Sequence, residues 1–243
     1  MRIIDAHIHS CNMRKPYTKE ELMADLEDAG AIGAVIFAQP ADMYREVDTA
    51  EARAEANQYC LDSAEGEEAI YPYYFVWNDY VIPDNFSEYV GIKWHRHHDE
   101  PRYDYKVPAC ETFIQAVRDR NMPVIIEEEF DNTVHLIERL MPTPVIIPHC
   151  GSINGGVDKM PVFFDNPLVY FDTSVHALEG VQFILNGVGP ERLIYGSDVS
   201  GTSLPFFNFP KVELEKVLQL GLSDAELEMV LAGNVERLIA EGP

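Results

Sequence analysis

Short apolar runs alternate with helix-like segments along the chain, and this alternation constrains the fold more than any other feature. Eight runs are typical of buried strands, at residues 2–9, 34–38, 70–77, 89–95, 123–127, 145–147, 168–172 and 192–195. Helical patterns stand between several of them, at 18–30, 48–64, 108–120, 132–140 and 176–186, and again from about 210. Continuous apolar strands separated by helices or long loops indicate a parallel sheet that is buried on both faces. Eight such units predict an α/β fold, a single-domain (β/α)8 TIM barrel over residues 1–243.

The first predicted helix has recognisable ends. Thr18 and Glu21 stand at the spacing of a capping box, in which each side chain accepts a hydrogen bond from the other residue's backbone amide. Leu22 and Leu26 follow at helical spacing, and Gly30 is typical of the position that ends a helix. These signals predict a helix that begins after Thr18 and ends at Gly30.

The charge balance narrows the choice of partners. The 243 residues include 18 Lys and Arg against 41 Asp and Glu, which gives a formal net charge of −23. Such a chain repels phosphate backbones and anionic lipids, so we expect neither nucleic acid nor a membrane as a partner. No apolar run approaches the ~20 residues that span a bilayer. A small molecule is therefore the expected partner, and the sequence is compatible with a homo-oligomer without predicting one.

Four cysteines, Cys11, Cys60, Cys110 and Cys150, lie far apart and form no CxxC pair. A chain of this length does not need disulfides to stabilise its core. The first residues enter a strand directly and lack the apolar centre of a signal peptide. We therefore expect reduced thiols and a cytoplasmic protein.

Polar residues of the kinds that bind metals stand at the ends of several predicted strands. In the first strand Asp5, His7 and His9 are two residues apart, so their side chains point to the same face. Two imidazoles in this arrangement can hold one zinc-like cation. His149 and Asp198 follow the apolar runs of the sixth and eighth strands. If these strand ends converge, as they do in a parallel barrel, they make a metal centre.

Each of these residues also has a simpler structural interpretation. The two histidines of the first strand could be satisfied by backbone groups, and Asp198 could cap a helix or a turn. Near a metal, Asp198 could instead be both a ligand and a general base, and His149 a ligand or a proton carrier. Crowded carboxylates and imidazoles favour a bound cation, since an unpaired buried charge costs on the order of several kcal/mol.

The fourth and fifth strands add charged residues to this set. Lys93 and His95 share one face, whereas Trp94 takes the other. Lys93 could bind an anion, take up carbon dioxide and bridge two metals, or simply pair with a carboxylate. Glu127 ends the fifth strand and is competent to bind zinc or manganese, although it could also belong to a solvated acidic loop. Lys93, His95 and Arg96 are grouped near the expected mouth of the barrel, which predicts a substrate that carries a carboxylate.

The order of these motifs resembles the amidohydrolase superfamily, in particular its amidohydrolase-2 branch of metal-dependent (β/α)8-barrel hydrolases and decarboxylases. The resemblance rests on IIDAHIHS at the start, GIKWH in the middle, the His-Cys-Gly turn at 149–151, VYFDTS, IYGSDVSG and the closing GNVERL segment. It implies that His7 and His9 bind a divalent metal, usually zinc, and that Asp198 completes the metal site and takes a proton. It also implies that His149 polarises the substrate or carries protons.

One position departs from the pattern of the branch. The fifth strand usually ends in a histidine ligand, whereas the matching position here holds Glu127. Glu127 could bind the metal through its carboxylate, or His149 could replace the missing ligand. The change makes manganese (Mn2+) more plausible than in the typical case, although Zn2+ stays the expected ion.

The resemblance implies a hydrolase in which metal-activated water attacks the amide, ester or lactone carbonyl of a small substrate. A decarboxylase of the same branch would use the same metal and the same aspartate. The opening DAHIHS also resembles the polymerase-and-histidinol-phosphatase family, which would make the protein a phosphoesterase. Glu127 in place of histidine would also suit a catalytically inactive barrel that acts as a binding protein.

Overall fold

The strands form a parallel sheet whose order follows the sequence. A computed structural model describes residues 1–10, 17–38, 49–96 and 102–242. In these residues eight strands lie side by side from β1 to β8, each parallel to the next. They are β1 (Ile4–His9), β2 (Gly33–Phe37), β3 (Ile70–Val76), β4 (Gly91–His95), β5 (Val124–Glu127), β6 (Val145–Ile147), β7 (Val169–Asp172) and β8 (Leu193–Ile194). The predicted (β/α)8 barrel is confirmed.

The last strand returns to the first, so the sheet closes into a nearly complete barrel. Ile8 pairs with Val199 in a parallel bridge. The amide of His9 donates to the carbonyl of Val199 at 2.9 Å, and the amide of Asp198 donates to the carbonyl of His7 at 2.8 Å. Closure therefore places the segment that follows β8 directly beside the two histidines of β1.

Helices pack around the strands, and their bounds agree with the sequence pattern to within a few residues. They are α1 (Lys19–Ala29), α2 (Ala50–Ala64), α3 (Pro108–Asp119), α4 (Phe130–Leu140), α5 (Leu178–Val188), α6 (Phe209–Val217), α7 (Asp224–Glu228) and α8 (Asn234–Ala240). After β3 and β6 the described residues contain short 3-10 segments instead, at Phe86–Glu88, Pro148–Gly151 and Val157–Phe163. A π-helical turn, Met229–Gly233, joins α7 to α8.

Helix α1 has the predicted ends. The amide of Glu21 donates to Thr18 Oγ1 at 3.2 Å, and the amide of Thr18 donates to the Glu21 carboxylate at 3.0 Å. Gly30 follows the helix with a φ of 74°, in the left-handed region that favours glycine. The capping box and the glycine stop are therefore both confirmed.

Apolar side chains form two layers, one inside the barrel and one between the barrel and the helices. Because neighbouring strand residues point to opposite faces, Ile125 belongs to the inner layer and Ile126 to the outer one. The inner layer also contains Ile4, Ala6, Val35, Phe37, Tyr73, Ile146 and Ile194. The polar residues at the strand ends thus stand on a packed apolar floor, which fixes their positions.

Two predictions from composition concern the surroundings of the chain. Within the four described ranges, no helix is both long and apolar enough to cross a membrane. Cys60, Cys110 and Cys150 are buried. Cys11 lies outside the described residues, as do residues 97–101 of the polar loop that follows β4.

Candidate metal centre

The carboxyl ends of the strands surround a cavity of about 280 Å³. Its lining comes from β1, β4 and β5 and from the segments after β6, β7 and β8: His9, His95, Glu127, His149, Ser152, Ile153, Val175 and Asp198. All strands of a parallel barrel point the same way, so the polar residues that end them meet at one rim. Residues that are far apart in the sequence are therefore assembled in one place.

Three of the predicted metal ligands converge at one oxygen atom. His7 Nε2 lies 3.2 Å from Asp198 Oδ1, and His9 Nε2 lies 3.1 Å from the same oxygen. One ligand atom each of His7, His149 and Asp198 lies within 4.8 Å of the others. The first strand and the segment after the eighth strand, which the sequence motifs predicted to share a site, are thus in contact.

Asp198 reaches the histidines through an uncommon backbone conformation. Its φ of 65° lies in the left-handed region, which Asp tolerates better than most residues. Burial raises the pKa of its carboxyl group, but hydrogen bonds with His7 and His9 outweigh burial and hold the pKa well below its ordinary value. Asp198 is therefore an ionised carboxylate, and 28% of its side chain is exposed.

Asp172, at the end of β7, orients two of the histidines. Its Oδ2 lies 2.7 Å from His7 Nδ1, and its Oδ1 accepts a hydrogen bond from the amide of His149 at 2.9 Å. Burial raises the pKa of Asp172, but the charge of His7 outweighs it and lowers the pKa to about 2. The ionised carboxylate holds the proton of His7 on Nδ1, which leaves Nε2 facing Asp198.

Asp172 is not among the predicted site residues, although its position in the sequence carries a usable signal. Asp172 follows the apolar run of the seventh strand just as Asp198 follows that of the eighth. The same rule that selected Asp198 would have placed Asp172 at the rim of the barrel. Asp5, on the same face of β1 as the two histidines, accepts hydrogen bonds from the amides of His7 and Ser197 at 3.1 and 2.9 Å. Asp5 therefore connects β1 to the segment after β8.

His149 occupies a strained turn that directs its ring into the cavity. Its φ is 54°, and the next residue, Cys150, has a φ of 50°. Such values are uncommon for residues other than glycine and are often found at functional sites. The His149 Nδ1 lies 2.9 Å from Ser174 Oγ, and Nε2 lies 3.6 Å from Glu127 Oε2. The ring is thus held between β5 and the segment that follows β7.

Glu127 faces positively charged and imidazole groups of neighbouring strands. Its Oε2 lies 3.1 Å from Lys93 Nζ, and its Oε1 lies 3.4 Å from His95 Nε2. Burial raises the pKa of Glu127, but the charges of His95 and Lys93 outweigh burial and hold the pKa well below its ordinary value. Glu127 is not part of the compact group formed by His7, His149 and Asp198.

The three residues predicted to bind a substrate carboxylate lie in different environments. His95 lines the cavity. Lys93 is fully buried, with Nζ 3.1 Å from both His7 Nε2 and Glu127 Oε2. Arg96 does not line the cavity, and its Nη1 lies 2.9 Å from Glu128 and 3.2 Å from Glu129. The structure therefore brings His95 and Lys93 to the site, whereas it places the Arg96 guanidinium in an acidic pair outside the cavity.

The donor set suits a divalent transition metal. Imidazole nitrogens and carboxylate oxygens are ligands for Zn²⁺, and carboxylates are also ligands for Mn²⁺. Burial lowers the pKa of His9 to about 4, so its imidazole is neutral and offers a lone pair. His7, His9, His149 and Asp198 thus fit such an ion, whereas Lys93 adds a positive charge beside them.

Solved structures with the same fold include enzymes of more than one kind. The chain is similar to a protein assigned as a 2-pyrone-4,6-dicarboxylic acid hydrolase from Pseudomonas putida, with a TM-score of 0.73, 14% identity, and coverage of 98% of this chain and 97% of that one. It is similar to a 2,6-dihydroxybenzoate decarboxylase from Rhizobium, with a TM-score of 0.70, 12% identity and 99% of each chain covered. It is also similar to a zinc-bound amidohydrolase from Burkholderia multivorans, with a TM-score of 0.71, 14% identity and 100% of each chain covered. At these identities the likeness concerns the fold.

The sequence itself identifies the family. No curated protein matches the chain. The sequence model of the family described as amidohydrolase matches residues 86–239, which is more than half of the chain. The matched region contains Glu127, His149, Asp172 and Asp198 of the candidate centre. We conclude that the chain belongs to the amidohydrolase family.

Proposed function

We propose that this protein is a metal-dependent hydrolase that uses water to attack the amide, ester or lactone carbonyl of a small molecule. His7, His9 and Asp198 hold the metal, and His149 joins them or faces the substrate. The observation that carries the proposal is the approach of two imidazole nitrogens to a single oxygen of Asp198, at 3.2 and 3.1 Å. Membership of the amidohydrolase family supports the same chemistry.

The residues of the centre can divide the work of hydrolysis. A divalent metal supplies Lewis acidity, which polarises a carbonyl group and makes water more acidic. Asp198 is ionised and partly exposed, so it can accept the proton that an attacking water gives up. His149 lines the same cavity, and a donor in this position can stabilise the negative charge that develops on a carbonyl oxygen.

We propose zinc as the metal, with manganese as the alternative. Two imidazoles with one carboxylate favour Zn²⁺, and the similar amidohydrolase from Burkholderia multivorans contains zinc. Glu127 would add an oxygen ligand, which favours Mn²⁺. We also propose a protein of one domain, because the eight described strands belong to one sheet. We propose a cytoplasmic location from the sequence, in which the four cysteines lie far apart and form no CxxC pair.

The size and lining of the cavity favour a small substrate with one polar and one apolar side. A volume of about 280 Å³ is near the lower end for ligand cavities. Ile153 and Val175 contribute apolar groups to its lining, and His95 and Glu127 contribute polar groups. We propose that a carboxylate of the substrate binds beside His95, which lines the cavity. Arg96 is left out of this proposal because its guanidinium is paired with glutamates.

The second candidate is a decarboxylase that uses the same centre. Asp198 would first take a proton from water and then deliver it to the carbon atom that loses carbon dioxide, and no other residue would have to change its place. The similarity of fold to a 2,6-dihydroxybenzoate decarboxylase favours this candidate. Release of carbon dioxide from a carboxylated aromatic substrate, measured beside hydrolysis of lactones, amides and esters, separates the two activities.

Metal removal tests the proposal directly. The protein is first assayed on lactones, amides and esters to find a substrate that it hydrolyses. Chelator-treated protein should lose activity on that substrate, and added zinc or manganese should restore it. Asp198→Asn should lower kcat by at least about 100-fold, because it removes both a ligand and the proton acceptor. His135→Gln, an exposed residue of α4, is the matched control and should keep full activity.

The same measurements would also identify a phosphoesterase or an inactive binding protein. Release of inorganic phosphate from phosphate esters would indicate the phosphoesterase. A centre that stays empty in protein grown with ample zinc and manganese would indicate an inactive barrel that acts as a binding protein. Turnover that is unchanged after complete removal of metal would refute the proposed chemistry.

A further inference from the structure

A lysine side chain lies against the candidate metal centre. Lys93 belongs to β4, is fully buried, and has its Nζ 3.1 Å from Nε2 of His7. That nitrogen is also the atom of His7 that faces Asp198, at 3.2 Å. The ammonium group of Lys93 therefore stands beside the nitrogen through which His7 would bind a metal.

The surroundings of Lys93 hold a positive charge in this position. Nζ lies 3.1 Å from the Glu127 carboxylate and 4.7 Å from the centre of the Phe37 ring, whose face attracts cations. Glu127 is itself buried and sits between Lys93 and His95. A buried charge is retained only where a partner compensates it, and here each of the two residues compensates the other.

Nε2 of His7 can have only one partner, either the ammonium group of Lys93 or a divalent metal. An imidazole nitrogen has a single position for a partner, which a proton, a hydrogen-bond donor or a metal can take. Whether Nε2 of His7 carries a proton or a lone pair, an ammonium group at 3.1 Å opposes the arrival of a divalent ion. A metal can therefore bind His7 only if Lys93 gives up its position.

We propose that Lys93 is a resident cation of the centre, which competes with the divalent metal for His7 and keeps the affinity for metal low, and that Glu127 anchors this lysine instead of binding the metal. The inference rests on the proposed function, because it takes the metal to bind at His7, His9 and Asp198. The glutamate that stands in place of the histidine at the end of the fifth strand would then have a structural role. Glu127 and Lys93 form a pair that occupies this side of the centre.

Lys93 could instead be a metal ligand, and this role predicts the opposite change in metal affinity when Lys93 is replaced. A lysine that had taken up carbon dioxide would carry a carboxylate on Nζ and would itself be a metal ligand. Its loss would then weaken metal binding, whereas the loss of a competing cation strengthens it. The sign of the change in affinity therefore separates the two roles without any measurement of activity.

The experiment compares zinc and manganese affinities of metal-free variants by chelator competition, with bound metal counted by elemental analysis. Lys93→Met should bind Zn²⁺ at least about tenfold more tightly than the wild-type protein. Lys19→Met is the control, because Lys19 also pairs with a glutamate, Glu67, and neither residue lines the cavity. Its affinity should stay within about twofold of the wild-type value. An affinity of Lys93→Met equal to or below that of the wild type would overturn the inference.

A double variant covers the case in which Lys93→Met does not fold because Glu127 loses its partner. Lys93→Met with Glu127→Gln removes both charges at once, which is tolerated better than the loss of one member of a buried pair. We expect it to bind Zn²⁺ more tightly than the wild type, and equal or weaker binding would again refute the role of Lys93.

Asp198→Asn tests the site itself, separately from Lys93. If it abolishes binding while Lys93→Met strengthens it, both proposals stand. If Asp198→Asn keeps the full wild-type affinity, the metal binds elsewhere and the proposed function fails. If Asp198→Asn loses the metal and Lys93→Met does not gain affinity, the centre is upheld and the competition is rejected.

Discussion

A single imidazole ring lies at the focus of the candidate centre, and its two nitrogens have different partners. Nδ1 of His7 lies 2.7 Å from Asp172, while Nε2 faces Asp198 and Lys93. A carboxylate behind a metal-binding histidine fixes both its tautomer and the orientation of its ring. The orientation of the His7 ring thus depends on Asp172, although Asp172 does not line the cavity.

Replacement of Asp172 tests this dependence. Asp172→Asn keeps the size of the side chain but offers His7 a neutral amide, so the preferred position of the proton is lost. We expect the affinity for Zn²⁺ to fall by about 10- to 100-fold, the range typical of such outer partners. The measurement is chelator competition on purified variants. Asp165→Asn, an exposed residue, is the control, and equal affinities for the two variants would contradict the role of Asp172.

The same pair predicts how the stability of the metal-free protein depends on pH. Burial and Lys93 lower the pKa of His7, but Asp172 and Asp198 outweigh them and raise it from 6.5 to about 9. This contribution to stability is full below pH 6.5 and is lost as the pH rises through about 9. The pKa of Asp172 is lowered from 3.8 to about 2, so its contribution is full above pH 3.8 and is lost as the pH falls through about 2.

The difference in the free energy of unfolding between wild type and Asp172→Asn, measured with urea in the presence of chelator, should therefore be largest near about pH 5 and should shrink towards about pH 9.5. A difference that grows with rising pH across this interval would show that His7 and Asp172 are not coupled in this way.

His7, His9 and Asp198 lie close together, as the sequence predicted, because strand ends in a parallel barrel meet at one rim. It could not reveal the contacts that position them. His149 donates its amide hydrogen to Asp172 from a turn in which its φ is 54°, and strand periodicity carries no information about such a turn. The partners of Lys93 were likewise left open, because three different partners suited its position in the sequence.

Among the elements, β8 is the shortest strand described and the one on which the site depends most. It comprises only Leu193–Ile194, whereas the apolar run predicted a strand over residues 192–195. The chain leaves regular pairing after Ile194 because the following residues turn towards β1, where Asp198 and Val199 make their backbone contacts. Gly196 lies inside this turn, in close contact with His7.

A side chain at Gly196 should disturb both the barrel closure and the centre. A Cβ there would lie 2.8 Å from Cβ of His7, which is too close for either atom to stay in place. We expect Gly196→Ala to lower the free energy of unfolding by about 1–3 kcal/mol, as overpacking does, and to weaken metal binding as well. Denaturant titration and metal competition measure the two effects.

Gly233→Ala is the control for this variant. It places a Cβ 3.4 Å from the backbone oxygen of Glu228, and the helical backbone accepts alanine readily. Its stability should equal or exceed that of the wild type. If Gly196→Ala is equally stable, the close approach of β8 to His7 is not a constraint.

At the level of elements, the sequence pattern was sufficient for the order and type of most segments. All eight strands and the helices after β1, β2, β4, β5 and β7 lie where apolar periodicity placed them. The connections were less predictable. Glycines, prolines and left-handed residues determine the 3-10 segments after β6, and their conformations depend on contacts with other strands. The positions of the strand ends were therefore predicted more accurately than the conformations of the loops that follow them.

For the whole molecule, the dominant property is its charge of −23. Most of the acidic residues contribute to a surface that repels itself, and the folded state brings these charges closer than the unfolded chain does. Dissolved salt screens such repulsion, with a Debye length of about 10 Å at 0.1 M. Salt should therefore stabilise the protein, in contrast to proteins that are held together by surface ion pairs.

Thermal unfolding measured from low salt to about 0.2 M NaCl, in the presence of chelator, checks this expectation. The midpoint should rise with the salt concentration. A potassium chloride series provides the control, because simple screening does not distinguish the two salts. A midpoint that falls with salt would indicate that attractive ion pairs, such as Arg2 with Glu228 and Glu236, outweigh the repulsion.

The origin of the cavity wall also affects how such a protein can diversify. The groups proposed to do the chemistry stand at or just beyond strand ends, on a rigid floor, whereas Ile153 and Val175 belong to the connecting segments above them. Exchange of those connections would change which molecules enter while leaving the reactive machinery intact. A barrel of this kind can therefore change its substrate specificity while it keeps the same catalytic groups.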